Sequence, residues 1–506
     1  MSPRPAHRDQ LNLLRFDMRM HRSVRRLSVV ASVSAAAVAL AASLTAGPLS
    51  AAPTAAGTDG TAGFGATLQP IDGFGFSGAF QRAALINGLQ LNGMPGLPPA
   101  QQQQMVQLLF SRTKGAGLSI VRLGIGSSAD NVYDHMKSIE PVSPGSPAAA
   151  PTYVWDGNDG GQVWLAKQAQ AYGVRQFYAD AWSAPGYMKT NGNDAAGGAI
   201  CGLPGTSCAS GDWRQAYANY LVQYVKFYRS EGIRITDLGF TNEPDFVATY
   251  ASMQLDGAQL ADMLTVLGPT VKASGLPLKI VCCDATGWQN QAAFMTTIEA
   301  DQAAAKWVST YSAHLYSSLA TTPLPTSKDV WMSEWQAGGT PFNQSWDDGT
   351  ATSGMNLAQS INDTLTLGNA DAYIYFFAGS TGATGALMQV NGTTFSVSDR
   401  LWAMGAYSRY IRPGALRVSA STDNPALEIT AFRNKDGSKV LEIINTAATA
   451  QSLSLRLGPQ LGGSQAVSYL TDSTHTIARE DLASLHGRDL SVQLAPRGLT
   501  TVVLGG

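Results

Sequence analysis

Between residues 71 and 377 the chain alternates short apolar runs with longer segments of helical periodicity, and no other feature narrows its fold so far. The runs lie at residues 71–76, 118–124, 174–179, 236–240, 278–283, 310–314, 330–333 and 372–377. Each is rich in β-branched, aromatic or leucine residues. Several are apolar at nearly every position, the pattern of strands buried on both faces of a parallel sheet. Between them, residues 212–228 place apolar side chains at 213, 217, 220, 221, 224 and 228, with Asp212 positioned to cap the helix N-terminus. Residues 259–272 and 354–367 read the same way. Eight strand–helix units in succession predict a (β/α)8 barrel occupying residues 60–411.

An open doubly wound sheet is the competing fold. Gly73-Phe-Gly75-Phe-Ser-Gly78 matches the spacing of a dinucleotide-binding turn. No acidic residue ends a second strand about 20 residues later, and bulky Phe74 and Phe76 occupy the turn, so no nucleotide cofactor is expected.

After residue 412 the texture changes. Stretches such as Ala426-Leu-Glu-Ile-Thr-Ala-Phe-Arg and Lys439-Val-Leu-Glu-Ile-Ile alternate apolar with polar residues, and Lys435-Asp-Gly-Ser reads as a hairpin turn. Residues 412–506 are therefore expected to form an antiparallel β-sandwich side domain, to which residues 60–70 can add a strand.

The chain opens differently. Arg22, Arg25 and Arg26 precede an apolar Ala/Ser/Val-rich run from Leu27, followed by small residues up to Ala52, the three-part layout of a secretory signal peptide. The run falls short of the roughly 20 apolar residues a membrane span needs. Residues 1–52 are thus expected to be a removable leader, and the mature protein to be secreted, into the medium or a periplasm. Without the seven arginines and two aspartates of that segment the formal charge falls from −2 to −7. Such a chain offers no basic field to nucleic acid or to an anionic membrane. An exported chain can carry disulfides. Cys201 and Cys208 flank a short Gly/Pro/Ser loop and are expected to pair. Cys282 and Cys283 are adjacent on a strand, where neighbours point to opposite faces, and are expected to pack as separate buried thiols.

Catalysis in a (β/α)8 barrel is expected where strands end. Glu243 follows the fourth run, in Thr241-Asn-Glu-Pro, and the proline is expected to hold it extended. Glu334 ends the seventh, in Val330-Trp-Met-Ser-Glu. Two carboxylates converging across the barrel mouth suit an acid and a nucleophile acting on a glycosidic bond. At about 5 Å apart they leave no room for water and give a covalent glycosyl intermediate. A lone strand-end glutamate is as readily a capping or ion-pair residue. The functional reading gains from the aromatics Trp182, Tyr187, Trp288, Tyr316, Trp335 and Phe377, which fall at or just after strand ends and offer flat faces to sugar rings. A metal hydrolase is disfavoured: His135 and His314 are the only histidines of the barrel region, and no His-Glu-x-x-His occurs. No nucleophile elbow supports a serine esterase. A catalytically silent glycan-binding protein is the alternative from another class.

The segments Ile71-Asp-Gly-Phe-Gly-Phe-Ser-Gly-Ala-Phe-Gln-Arg, Val121-Arg-Leu-Gly-Ile-Gly-Ser-Ser, Ala181-Trp-Ser-Ala-Pro-Gly-Tyr-Met-Lys, Phe240-Thr-Asn-Glu-Pro-Asp, Ala313-His-Leu-Tyr, Trp331-Met-Ser-Glu-Trp and Tyr407-Ser-Arg-Tyr-Ile-Arg-Pro-Gly-Ala together resemble glycoside hydrolase family 30. The resemblance runs from about residue 60 to the end of the chain and implies a barrel with a side β-sandwich and a retaining mechanism. It matches Glu243 to the acid/base, Glu334 to the nucleophile and Asn242 to the residue that contacts the sugar 2-hydroxyl. Arg122, Trp182, His314 and Tyr316 match positions lining the family's substrate site. The first βα turn and the Cys201–Cys208 loop look most like the family's xylan-active branch known from fungi, glucuronoxylanases and xylobiohydrolases. That branch carries Glu or Gln where Gly78 stands and Leu where Thr241 stands. In it Arg82 would clamp a glucuronate branch, as an arginine fork suits a carboxylate. The family also holds glucosylceramidases, β-1,6-glucanases and β-1,6-galactanases. The expectation is a monomeric xylan hydrolase that needs no cofactor or metal, with a β-1,6-glycanase as the alternative.

Overall fold

The computed structural model describes residues 59–338, 341–382, 385–460 and 465–505, and every structural statement here concerns those residues. The expected leader lies outside them. Strand β1 (Gly60–Ile71) leads into eight strands that pair in parallel and in chain order: β2 (Gly73–Ser77), β3 (Ile120–Ile125), β4 (Gln176–Ala181), β5 (Asp237–Gly239), β6 (Lys279–Ala285), β7 (Val308–His314), β8 (Asp329–Glu334) and β9 (Ala372–Phe377). Strand β9 pairs with β2 and closes the barrel, which excludes the open sheet. Each apolar run supplies one strand.

Strand alternation divides the barrel interior into layers. Ile120, Tyr178, Val281, Trp331 and Ile374 pack together as a small apolar cluster of their own, inside the ring. Two residues further along β3, β4 and β8, the same inward face presents Arg122, Asp180 and Ser333, all buried. An apolar plug thus gives way to a polar layer toward the strand C-termini. The glycines of the 73–78 turn serve packing here. A Cβ at Gly73 would sit 2.3 Å from Ser119 Oγ, and one at Gly75 would sit 2.4 Å from the Ile120 carbonyl oxygen, so both positions let β2 approach β3.

Outside the ring, the helix Arg214–Ser230 buries Tyr217, Tyr220, Leu221, Tyr224 and Tyr228 against the strands, with Trp213 at its start. Trp213, not Asp212, occupies the flanking position. The Asp212 carboxylate accepts the Arg214 N–H and also holds that residue's guanidinium at 2.6 Å, so its oxygens serve the side chain as well as the helix end. The helices Gly257–Ser274 and Gly354–Thr366 are capped by Asp256 and Ser353. Among the described residues, no helix is long and apolar enough to cross a membrane.

Strand β1 also belongs to a ten-stranded sheet built from residues 415–505, pairing antiparallel with Ala415–Thr422 and parallel with Gln451–Leu457. The Lys435 turn joins Leu427–Arg433 to Lys439–Asn445 in register. This sheet encloses a second core of Phe64, Val418, Leu441, Leu455, Val492 and Val502. It is tied to the barrel where the Trp346 indole donates to the Arg497 carbonyl (2.7 Å) and Arg497 pairs with Asp347 (2.8 Å).

Both cysteine pairs are oxidised. Cys201 and Cys208, with Cα atoms 5.6 Å apart, close the loop that separates them. Cys282 and Cys283 are bonded to each other, against the expectation of two separate thiols. The peptide between them is cis.

Candidate active site

Glu334 ends β8 and Glu243 follows β5 by four residues, which places them on the fourth and seventh strands of the barrel. A carboxylate oxygen of each and a ring nitrogen of His314 lie within 4.8 Å of one another. Glu243 is not extended. Its φ is 47°, in the left-handed region. Proline at 244 disfavours the right-handed helical region, and a sharp turn takes the left-handed alternative, at a cost of roughly 1–3 kcal/mol. Two main-chain hydrogen bonds hold it there: the Glu243 N–H donates to the Asp284 carbonyl (2.8 Å), and its own carbonyl accepts the Phe246 N–H (2.9 Å).

The two glutamates stand in different surroundings. On Glu334, Oε2 accepts from Arg122 Nη1 and Oε1 accepts the Tyr316 hydroxyl at 3.0 Å. Each oxygen of Glu334 thus faces a donor, one of them cationic, an arrangement that fits the anion. Burial pushes its carboxyl up and the Glu243 charge adds to that, while His314 and Arg122 pull it down; the net displacement is upward. Glu243 Oε1 lies 3.0 Å from His314 Nδ1, and the Tyr250 hydroxyl stands beside it.

Arg122 organises this layer from complete burial. Besides Glu334, its guanidinium reaches Asp180 (2.7 Å), Asn242 Oδ1 (2.5 Å) and Asp284 (3.3 Å), and lies 4.3 Å from the Trp182 ring centroid. The Trp182 indole meets Phe80 edge-on at 5.2 Å. Burial drives Asp180 well above the carboxylate range, with Asp284 adding to it, while the Arg122 guanidinium at 2.7 Å pulls it down. Asp284 is equally buried, yet Arg122 and His314 hold it far below that range and it remains charged. Burial alone would lower His314; the Glu334 charge and hydrogen bonds to Asp284 and Glu243 prevail and raise it to about 10. His314 is therefore an imidazolium, donating one N–H to Glu243 and the other to Asp284. With both nitrogens spent on protons, the Glu243–His314–Glu334 group is a poor cation site despite its spacing.

The structure gathers Glu243, Glu334, Asn242, Arg122, Trp182, His314 and Tyr316 into one connected group. Trp335, half-buried, follows Glu334 and meets Tyr375 edge-on. Trp288 and Tyr187 are placed elsewhere. Trp288 opens the helix Trp288–Ala300, almost wholly buried, with its indole donating to the Thr322 carbonyl at 2.7 Å. The Tyr187 hydroxyl donates to the Glu140 carbonyl at 3.1 Å and its ring packs on Trp213. Arg82 lies over the Phe377 ring, but its Nη1 is 2.5 Å from Asp134 and also donates to the Phe80 carbonyl (2.7 Å). Asp180 and Asp284 are not among the site residues expected from the sequence. Their signal was present, since each is a carboxylate ending an apolar run.

A parallel barrel whose strand ends carry two close carboxylates, one held by an arginine and a tyrosine, has the layout of a glycoside hydrolase. Residues 100–324 match the O-glycosyl hydrolase family 30, and residues 414–502 match the glycosyl hydrolase family 30 beta sandwich domain. The catalytic domain of the GH30 xylanase C of Talaromyces cellulolyticus is 39% identical over 88% of this chain and 99% of that one, with a TM-score of 0.81. A putative glucosylceramidase 2 of Caenorhabditis elegans is 25% identical over 77% of each chain. An endo-1,6-beta-D-glucanase of Trichoderma harzianum is 24% identical over 75% of this chain and 78% of that one. The protein belongs to glycoside hydrolase family 30.

Proposed function

We propose that this protein is a secreted retaining β-glycosidase that cleaves xylan-type polysaccharide. The observation that carries the mechanism is the carboxylate pair: Glu243 and Glu334 present oxygens within 4.8 Å of each other, inside the spacing that admits attack by a carboxylate and excludes an intervening water. Glu334, aimed by Arg122 and Tyr316, attacks the anomeric carbon while Glu243 protonates the departing glycosidic oxygen. A glycosyl ester to Glu334 forms, and Glu243, now a base, activates the water that releases it. His314 Nδ1, 3.0 Å from Glu243 Oε1, holds that carboxyl in place through both half-reactions. Asn242, held by Arg122, faces the sugar beside Glu334, and Trp182 supplies an apolar face.

Xylan is favoured over β-1,6-glucan by the greater likeness to a xylanase, 39% identity against 24% for the endo-1,6-beta-D-glucanase. Arg82 is already neutralised by Asp134, so cleavage is not tied to a glucuronate branch in this reading. Export is supported by the basic-then-apolar leader and by two disulfides, which persist in oxidising compartments. The test is a product profile on glucuronoxylan, arabinoxylan, β-1,6-glucan and β-1,6-galactan. Xylo-oligomers support the assignment, and release from a β-1,6-linked glycan alone replaces it. Binding to xylan without any cleavage selects the silent glycan-binding protein.

A further inference from the structure

Asp284 follows the Cys282–Cys283 pair near the end of β6, and its carboxylate is surrounded by donors. Oδ1 accepts from Ser333 Oγ (2.5 Å), Arg122 Nη2 (3.3 Å) and His314 Nε2 (3.3 Å). Oδ2 accepts from the Tyr178 hydroxyl and from Ser312 Oγ (2.8 Å). Five donors fill the roughly four lone-pair sites a carboxylate offers, with some sharing. The backbone is committed too: the Asp284 carbonyl accepts the Glu243 N–H (2.8 Å), and the Asp284 N–H donates to Ser312 Oγ (3.1 Å). Its φ of 54° lies in the left-handed region, which a residue with a side chain keeps only when its surroundings over-determine it. Gln291 holds the backbone just before it, accepting the Cys283 N–H and donating to the Cys282 carbonyl, both at 3.2 Å.

Two of the five donors continue to the glutamates, Arg122 to Glu334 and His314 to Glu243. A third link, through the backbone, reaches Glu243 directly. Asp284 touches neither of the bonds that break and form, yet it is joined to both residues that make and break them. We propose that Asp284 is the positioning residue of this site, fixing the His314 ring against Glu243 and the Arg122 fork against Glu334. The proposal rests on the glycosidase reading of that site.

An asparagine at 284 has the same shape but no charge, and its NH2 is repelled where it meets Arg122 and His314, which only donate, while at the Oδ2 position the Tyr178 and Ser312 hydroxyls would have to turn to accept it. His314 is then faced by Glu243, Glu334 and Asp180, with Arg122 and the Tyr316 ring nearby, and it loses one of the charges that keep it protonated. Asp284→Asn is therefore expected to lower kcat about 10²-fold through misplacement of the reacting groups, with KM changed by no more than about threefold. The His314 ring, followed by NMR in both proteins, is expected to titrate at lower pH in the variant than in the wild type. A variant retaining kcat within about twofold overturns the proposal. So does a loss of kcat with the ring midpoint and pH–rate profile unmoved, which would assign Asp284 to barrel stability. If Asp284→Asn does not fold, Tyr178→Phe keeps the ring and removes only the hydroxyl on Oδ2. A several-fold fall in kcat at unchanged KM then supports the proposal, and unchanged kcat overturns it. The titration is read on the imidazole itself. Wild-type inactivity on every glycan therefore counts against the glycosidase reading, and an unmoved ring counts against Asp284.

Discussion

Arg122 and Glu334 form a hydrogen-bonded ion pair at the end of the barrel, with the arginine fully buried and the glutamate nearly so. The arginine is placed by strand alternation, two positions beyond Ile120 on β3, and the glutamate by the end of β8. An isolated guanidinium at this depth would be very costly. The carboxylates of Glu334, Asp180 and Asp284 around it make it tenable. Arg122→Ala is expected to cost about 3–5 kcal/mol, because it leaves buried anions without their cation. A lowered urea-unfolding midpoint checks this, and an unchanged midpoint refutes it. Arg122→Lys is expected to recover little, since an ammonium cannot fork toward Glu334, Asn242 and Asp180 together.

The two glutamates are expected to differ in their dependence on the leaving group. Glu243→Gln removes the proton donor and should lower kcat/KM on polysaccharide by about 10²–10⁴-fold, the usual worth of general acid–base catalysis. The first step should be largely restored on aryl glycosides whose leaving group needs no proton. Glu334→Gln removes the nucleophile and should be silent on both substrates while still binding xylan. Equal losses on both substrates for Glu243→Gln would remove its role as acid.

Much of the barrel was legible because a strand buried on both faces has to be apolar, and eight such runs can be counted without knowing how they pair. The glutamates were legible for a related reason, as charged residues at the point where a buried run stops. Asp180 and Asp284 end runs in the same way, but their meaning depends on Arg122, which lies 58 and 162 positions away in the chain and meets them only once the barrel closes. Trp288 shows the converse. An aromatic after a strand can turn into the cleft or open the next helix, and sequence does not distinguish these; here the indole serves the Thr322 carbonyl. The backbone of Glu243 escaped because a following proline forbids one region and leaves two. The extended choice is commoner, but the turn that brings its N–H to the Asp284 carbonyl requires the left-handed one. The bond between Cys282 and Cys283 was not legible, because strand alternation sends neighbouring side chains to opposite faces.

The acid limb of the pH profile should reflect the buried pair. Burial and the Glu243 charge displace Glu334 upward, and the nucleophile acts only as the anion. As pH falls through that raised value the carboxylate gains a proton and attack ceases. Activity is therefore lost on acidification at a pH above the ordinary glutamate value of about 4.3. The limb belongs to the coupled pair, and Glu243→Gln, which removes one of the two charges, should move it toward lower pH. The measurement is kcat/KM against pH, which reports the free enzyme. A limb at or below the ordinary value in wild type contradicts the placement of Glu334 in a desolvated site.

Removing the Cys201–Cys208 bridge tests whether the loop it closes matters for stability or for chemistry. The two cysteines are 7 positions apart, and closing so short a loop limits the unfolded chain by about 2 kcal/mol. Cys201 packs in the barrel core, whereas none of the hydrogen bonds to Glu243 or Glu334 comes from this loop. The double variant Cys201→Ser/Cys208→Ser should melt at a lower temperature and keep its kcat at temperatures where it is folded. A fall in kcat at unchanged melting temperature would place the loop in the substrate cleft.

Arg82 provides the sharpest test of substrate recognition. Its guanidinium lies between the Tyr133 and Phe377 rings, with centroids at 4.8 and 4.6 Å, and donates to Asp134, to Ser380 Oγ at 3.1 Å and to the Phe80 carbonyl at 2.7 Å. A glucuronate carboxylate at this arginine would share the guanidinium with Asp134, which already offsets its charge, so the net gain is small, whereas an arabinose or unsubstituted xylose makes no such demand. Arg82→Ala is therefore expected to leave the ratio of products from glucuronoxylan and arabinoxylan unchanged. It should lower thermal stability, because the segment carrying Tyr133 and Asp134 loses its tie to the end of β9. Asp134→Ala should have the opposite consequence for recognition: it frees the guanidinium and should raise kcat/KM on glucuronoxylan relative to arabinoxylan. Side-by-side oligosaccharide profiles for the two variants decide the matter, and selective loss of glucuronoxylan cleavage in Arg82→Ala would show that the arginine already holds the branch.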